Sequence, residues 1–431
     1  MPATVPAPGE RIAWLDGLRA LAVLLVVYAH LSRYLFRGAR DFSSEWLHAG
    51  TAGVMLFFLV SGFIIPASLE RHGSLRAFWV SRLFRLLPLY LVVTAVVVVL
   101  GLGGLVPLDP WLTAHPWTSA VAHATMLPHL LGVPLVTPVF WTLTFEMVFY
   151  LLVSALFAVR WHRRGGAVAV ILAVLTVCTV PLAPTLIPTG TATVVAAVSL
   201  LIGLVAVTSG HRWAVVPGGL LLAALAGTLL VADQDPAHVW DGLLIVAVMF
   251  VGTTLYRAQQ RQLRWWAALT VAATVAAALL FTWYAELDAL GAPTARYRTR
   301  SVITLVVFGG AFALALLTRH RRTPRALAWL GVVSYSVYLV HFVLIQLLAP
   351  VLTGLGNRLP AIAEVPVAVA FLALLLSLSW LTHRFVELPG QRLGRRLARW
   401  LTARRGSDAL ISDPRPRSPV PAGVPPPTGR P

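Results

Sequence analysis

Residues 11–36 read RIAWLDGLRALAVLLVVYAHLSRYLF, an apolar run long enough to cross a bilayer. Two ionisable side chains interrupt it, Arg19 near its start and His30 deep inside. The eleven positions between them come to about 1100° of rotation, roughly 20° from three full turns, so both lie on one helix face about 16 Å apart along its axis. Titratable groups are costly in hydrocarbon and by default mark a functional site. The run follows only about ten polar residues. It is too long and too interrupted for a cleaved leader, and no small-residue cleavage site ends it, so it reads as a retained span.

The rest of the chain agrees with that reading. Of 431 residues, 58% are hydrophobic and only 12% charged, and the mean hydropathy is +0.80. A soluble domain of this length is excluded; the composition is that of a polytopic membrane protein. The formal charge of +18 comes entirely from arginine. In a membrane protein such charge is explained by loop topology before nucleic acid. A single cysteine, Cys178, leaves no intramolecular disulfide, cysteine metal site or redox pair.

Apolar segments recur near 12–36, 49–69, 83–104, 138–159, 166–186, 191–208, 213–231, 239–257, 265–283, 301–318, 328–350 and 364–384. The expected fold is an all-α transmembrane bundle of about 10–12 spans with both termini cytoplasmic. On that topology about 27 arginines face inward and about 7 outward. Arg33, Arg37, Arg40 and the three arginines from Arg296 to Arg300 are the outward exceptions, read as solvated loop charges or ligand contacts. Many tryptophans fall near span ends, as an interfacial belt requires. The polar stretch 105–137 suits an outer loop or a re-entrant segment. The chain divides into a cytoplasmic segment 1–11, a membrane domain 12–386 and a basic, Pro-rich tail 387–431, expected to be disordered from about 405.

Several other residues suggest chemistry. Glu146, in FWTLTFEMVFYLL (140–152), lies about 12 Å from the outer end of its span and His30 about 9 Å from the end of its own, so the two sit at similar depth. They fit either a base with its orienting carboxylate or a structural interhelical pair. In SLRAFWVSRLFRLLPLY (74–90), Arg82 and Arg85 share a helix face at the inner surface, with Arg76 further upstream. Guanidiniums so placed suit a phosphate-bearing ligand or lipid headgroups. Ser61 and Gly62, in GVMLFFLVSGFIIPASL (53–69), let another helix approach closely; no nucleophile elbow surrounds the serine. Ser334, Tyr338 and His341 share one face of LGVVSYSVYLVHFVLI (330–345) and fit an acceptor site, or a core histidine with its neighbours. Glu387 is expected to pair with a nearby arginine.

Taken together, WLDGLRALAVLLVVYAH (14–30), FFLVSGF (57–63), SRLFRLLPLY (81–90), FWTLTFEMVFY (140–150), LGVVSYSVYLVH (330–341) and FVELP (385–389) resemble the signatures of the acyltransferase-3 family of bacterial integral membrane O-acyltransferases. The match runs in order over most of the chain, and residues 160–326 carry none of it. The resemblance implies transfer of an acyl group, often acetyl from acetyl-CoA, to a hydroxyl of a carbohydrate, cell-envelope glycan or secondary metabolite. It implies a multi-pass protein of the bacterial cytoplasmic membrane, with acyl-CoA as co-substrate and no tightly bound cofactor. Arg19 and His30 correspond to the family's essential pair, and Arg82 and Arg85 to the arginines proposed to engage the donor. On this reading His30, Arg19 and Glu146 are catalytic, Arg82 and Arg85 bind the donor, and His341, Tyr338 and Ser334 line the acceptor site. No residue pattern calls for a metal. A transporter or flippase for a lipid-linked glycan or polyketide is the alternative class, but the inverted symmetry common in transporters is not evident.

Overall fold

The computed structural model describes residues 13–178, 188–231, 241–289, 291 and 295–411; the expectations for residues 1–11 and for the tail beyond 411 lie outside them. The described residues are overwhelmingly helical, with no strand among them. In order they are α1 (Ala13–Leu31), α2 (Arg37–Trp46), α3 (Ala49–His72), α4 (Leu75–Leu102), α5 (Pro110–Ala114), α6 (Pro116–Ala124), α7 (Trp141–Ala158) and α8 (Gly165–Cys178). There follow α9 (Thr189–Ser209), α10 (Arg212–Val231), α11 (Asp241–Gln259), α12 (Trp265–Ala289), α13 (Ala295–Leu317), α14 (Arg325–Arg358), α15 (Ala361–Thr382) and α16 (Leu388–Ile411). Eleven helices among the described residues are long and apolar enough to cross a membrane. Each of the twelve expected spans coincides with a helix; the one at 166–186 is described only as far as Cys178.

Lipid tails are as apolar as leucine, so helices in a membrane associate through close packing rather than through hydrophobic expulsion from water. Small residues mark where that happens. A Cβ on Gly62 of α3 would stand 1.8 Å from Met249 O of α11, and Thr253 Oγ1 donates to Gly62 O across the same seam. The small pair at Ser61 and Gly62 does admit a second helix. On the other side of α1, a Cβ on Gly331 of α14 would lie 1.9 Å from Asp16 O. That crossing locks α1 and α14 together and brings their polar faces into register. Helices α3, α7 and α11 are the most buried; α1 packs along α3, α10 along α7, and α8 and α12 along α11.

The first helix stops earlier than its apolar run. Hydrogen bonding tightens into turns at residues 32–35, and Phe36 adopts a left-handed backbone (φ 57°). Its N–H donates to Glu364 at the start of α15, which holds the turn in place. The stretch 105–137 does not span. It folds into α5, α6 and a 3₁₀ turn, with Asp109 capping α5 by accepting from Trp111 N at 2.8 Å. At its centre His123 is buried, with Nδ1 at 2.8 Å from Ser119 O and Nε2 accepting from Val136 N at 3.3 Å. Burial pushes this imidazole below its ordinary pKa.

Beyond Thr382 the chain passes through one π-helical stretch, His383–Glu387, and continues into α16, so the helix runs unbroken across residue 387 and on to Ile411. Gly390 and Gly394 let α16 lie directly against Pro88 and Phe84 of α4. Among the described residues Glu387 pairs with no arginine. It is buried, accepts from Ser336 Oγ of α14, and faces His383 Nδ1 at 3.1 Å. A widened helical turn rotates residues spaced i, i+4 toward each other, which local charge counting cannot anticipate.

Candidate active site

The start of α1 lies beside a cluster of guanidiniums. Arg19 reaches Asp16 one turn back at 3.6 Å and lies within the electrostatic reach of Arg85, Glu146 and Arg82. Arg82 and Arg85, one turn apart on α4, point the same way. All three arginines and Glu146 line a small cavity of about 80 Å³, together with Ser61, Phe57, Ser334 and Tyr338. Arg82 is the most enclosed, only 5% exposed. Its guanidinium lies 5.5 Å from the Phe78 ring centre and 5.8 Å from that of Tyr150. Its Nε has no hydrogen-bond partner among the described residues. Glu146 is the only carboxylate on the cavity wall, and one of its oxygens accepts from Tyr150 OH. Three guanidiniums face Glu146 on the cavity wall and Asp16 beside Arg19, which leaves the space net positive with an unspent donor. That arrangement suits an anion or a polarised carbonyl oxygen.

Arg76 is not part of this cluster. It donates to Thr208 O and Ser209 O at 2.8 and 3.2 Å and closes the C-terminal end of α9. It lies six residues from Arg82, about 600° of rotation or roughly 120° short of two turns, which places it on a different face of α4.

His30 stands near the far end of α1. Its Nδ1 lies 2.9 Å from Val26 O and 3.4 Å from Nε2 of His341 on α14. His341 is fully buried, with its own Nδ1 at 2.7 Å from Tyr338 O and 3.2 Å from Val337 O. The edge of Phe342 packs against the His30 ring, 5.2 Å between centres. His30 itself is only half-buried.

These positions redraw two sequence-based pairings. Glu146 is not the partner of His30; it belongs with Arg19, Arg82 and Arg85. The depth estimate assumed that α1 follows its apolar run to residue 36, whereas the helix ends at Leu31 and leaves His30 in the last turn. Five residues shift the depth by roughly 7 Å, enough to separate the two levels. His341 does not line an open acceptor site, being enclosed behind Tyr338 and His30. Ser334 and Tyr338 instead face the arginine cavity. Tyr338 ties α14 to α7, its hydroxyl accepting from Thr142 Oγ1 at 2.9 Å and donating to Val139 O at 3.1 Å. Its ring centre is 5.7 Å from that of His341. It thus touches both the cavity and His341, on the helix face it shares with Ser334.

The outward arginines are mostly neutralised locally. Arg40, Arg296 and Arg298 pair with Asp41, Glu45 and Asp288, and Arg300 donates to Ser44 O. Arg37 donates to Asn357 Oδ1 at 2.7 Å. Among the described residues no three His, Cys, Asp or Glu side chains come together as a metal site.

Fold and site together define a multi-pass helical membrane protein with an arginine-lined cavity and a histidine pair that share helices α1 and α14. Residues 12–384 match the acyltransferase-3 family, described as "Acyltransferase domain", and the chain belongs to that family. It is 26% identical over 419 residues to a protein named peptidoglycan O-acetyltransferase OatA of Listeria monocytogenes, covering 88% of this chain and 56% of that one. It is 30% identical over 177 residues to nodulation protein 10 of Rhizobium leguminosarum bv. viciae, covering 37% and 48%. The chain thus spans about half the length of these two curated relatives. No solved structure matches it.

Proposed function

We propose that the protein is a membrane O-acyltransferase that moves an acetyl or similarly small acyl group from acyl-CoA to a hydroxyl, on a glycan or a small molecule, in a bacterial cytoplasmic membrane. One observation carries this reading. A single helix, α1, presents a guanidinium to an enclosed positive cavity at one end and a histidine with an unengaged ring nitrogen at the other. The name of the Listeria relative adds acetyl and glycan as the first chemistries to try.

The proposed reaction uses the two ends differently. The arginines Arg19, Arg82 and Arg85 hold an anionic part of the donor or polarise its thioester oxygen. His30 Nε2 takes the proton of the acceptor hydroxyl. The hydroxyl oxygen bonds to the thioester carbon as the carbon–sulfur bond breaks. The CoA thiolate leaves and receives the proton from His30, so ester and free CoA are the products. Tyr338, which lines the cavity and lies beside His341, stands on the side of the cavity nearest the histidine pair in this scheme.

The test is acyl transfer by the purified protein in lipid nanodiscs, with radiolabelled acetyl-CoA and a panel of hydroxyl-bearing glycans and small molecules. Labelled ester together with stoichiometric CoA release is expected. Protein that neither releases CoA nor protects itself thermally on adding acetyl-CoA would sink the donor assignment.

A further inference from the structure

We propose that His341 is a positioning residue for His30: it fixes which ring nitrogen of His30 carries the proton and so aims the other nitrogen at the acceptor. The inference rests on the reading of His30 as the general base, and it concerns a residue that touches neither the arginine cavity nor open space.

The argument is one of donors and acceptors. A neutral imidazole has one N–H and one lone pair. The Nδ1 of His341 faces two carbonyl oxygens, Tyr338 O at 2.7 Å and Val337 O at 3.2 Å. Carbonyls only accept, so this nitrogen carries the proton. The Nε2 of His341 is therefore a lone pair, and what faces it is His30 Nδ1 at 3.4 Å. His30 Nδ1 also faces Val26 O at 2.9 Å. Two acceptors converge on this one atom. Were it unprotonated, three lone pairs would meet in a buried space, at a cost the low dielectric magnifies. His30 is thus the Nδ1–H tautomer, and its lone pair sits on Nε2.

His123 shows what an ordinary core histidine looks like in this protein. Its Nδ1 likewise faces the carbonyl one turn back, but its Nε2 accepts from a backbone N–H, Val136 N at 3.3 Å. Every polar atom is answered by the fold. In His341 the corresponding lone pair is answered by another imidazole, on a different helix and 311 residues away in sequence. When His30 takes a proton on Nε2 it becomes an imidazolium, and its Nδ1–H bonds tighten to both acceptors. His341 therefore serves the role a carboxylate usually serves beside a catalytic histidine, without adding a charge to the membrane interior.

The experiment begins with wild-type protein labelled with ¹⁵N-histidine and studied by solid-state NMR in lipid, with His30 assigned by difference from H30Q. His30 as Nδ1–H with an unprotonated Nε2 is expected; the opposite tautomer overturns the proposal without any variant having to fold. Next, acyl transfer is compared for His341→Leu and His341→Gln. Leucine cannot accept a hydrogen bond, whereas the glutamine carbonyl can. A fall in kcat of about tenfold or more is expected for leucine, with the donor KM within about twofold and most of the rate restored by glutamine. The His30 Nδ1–H resonance should also move upfield in His341→Leu alone. Equal rates for leucine and glutamine, or a leucine variant as fast as wild type, overturn the positioning role. If H30Q itself remains active, the fault lies instead with His30 as the base.

Discussion

The arginine cavity and the histidine pair share two helices, α1 and α14, with α3, α4 and α7 completing the cavity, yet they solve opposite problems. The cavity concentrates charge: Arg19, Arg82 and Arg85 outnumber the carboxylates of Glu146 and Asp16, and Arg82 Nε has no partner among the described residues. The pair avoids charge: His30 and His341 are satisfied by Val26 O, Val337 O and Tyr338 O and by each other, leaving one lone pair free. An uncompensated charge is a place that waits for a ligand, whereas a satisfied neutral group with one open atom is a place that waits for a proton. Tyr338 stands between them, and the distance along α1 keeps the two environments from cancelling each other.

Changes at one site should leave the other standing. The largest effect is expected from His30→Ala, which should lower acyl transfer by about 10²–10⁴-fold. The thermal protection given by acetyl-CoA should persist in that variant; its loss would show the two sites to be one. Next, Arg82→Leu should raise the donor KM by about tenfold or more with little change in kcat. Arg82→Lys should recover only part of it, since an ammonium keeps the charge but not the planar fork. Steady-state kinetics at varied acetyl-CoA separates these outcomes.

A smaller effect is expected from Glu146→Gln, which removes the cavity-wall carboxylate from three guanidiniums and leaves the Asp16 contact to Arg19. The ligand-free protein should unfold several degrees lower, and millimolar phosphate should recover much of the difference by binding the folded state. A loss that phosphate does not touch would place Glu146 outside the anion site. The smallest effect concerns His123, away from both sites. Burial holds its folded pKa below the unfolded value of about 6.5, so the neutral form is the one the fold prefers. Its stabilising contribution is complete above that pH and is lost as pH falls through the window below it. His123→Gln should therefore flatten the fall in melting temperature between about pH 6.5 and 5. An unchanged slope would rule it out as the acid-sensitive group.

Most of the fold was legible because bilayer thickness sets span length, and runs of the right length at 49–69, 191–208 or 301–318 have little else to be. Positions along one helix were legible for the same reason: Arg19 with His30, and Arg82 with Arg85, follow from the helical period alone. Contacts between helices were not. The depth of His30 depended on where α1 stops, and residues 32–36 are apolar enough to hide a turn held by Glu364, 328 residues away. Arg76 resembled Arg82 in type and neighbourhood, but the side of α4 it occupies hands it to the end of α9. Glu387 found Ser336 and His383 because a π-helical stretch turned it inward, and nothing local in the sequence of FVELP signals that.

The seam between Gly62 and Met249 bears on how the protein is made. The two positions are 187 residues apart in sequence. At roughly 5–20 residues per second, synthesis delivers the second partner on the order of ten to forty seconds after the first. During that interval α3 lies in the bilayer with its small-residue face covered only by lipid. Biogenesis therefore has a vulnerable window that closes only when α11 is inserted. Chains cut short before residue 252 should be cleared by membrane proteases, while those cut after α11 should survive to assemble.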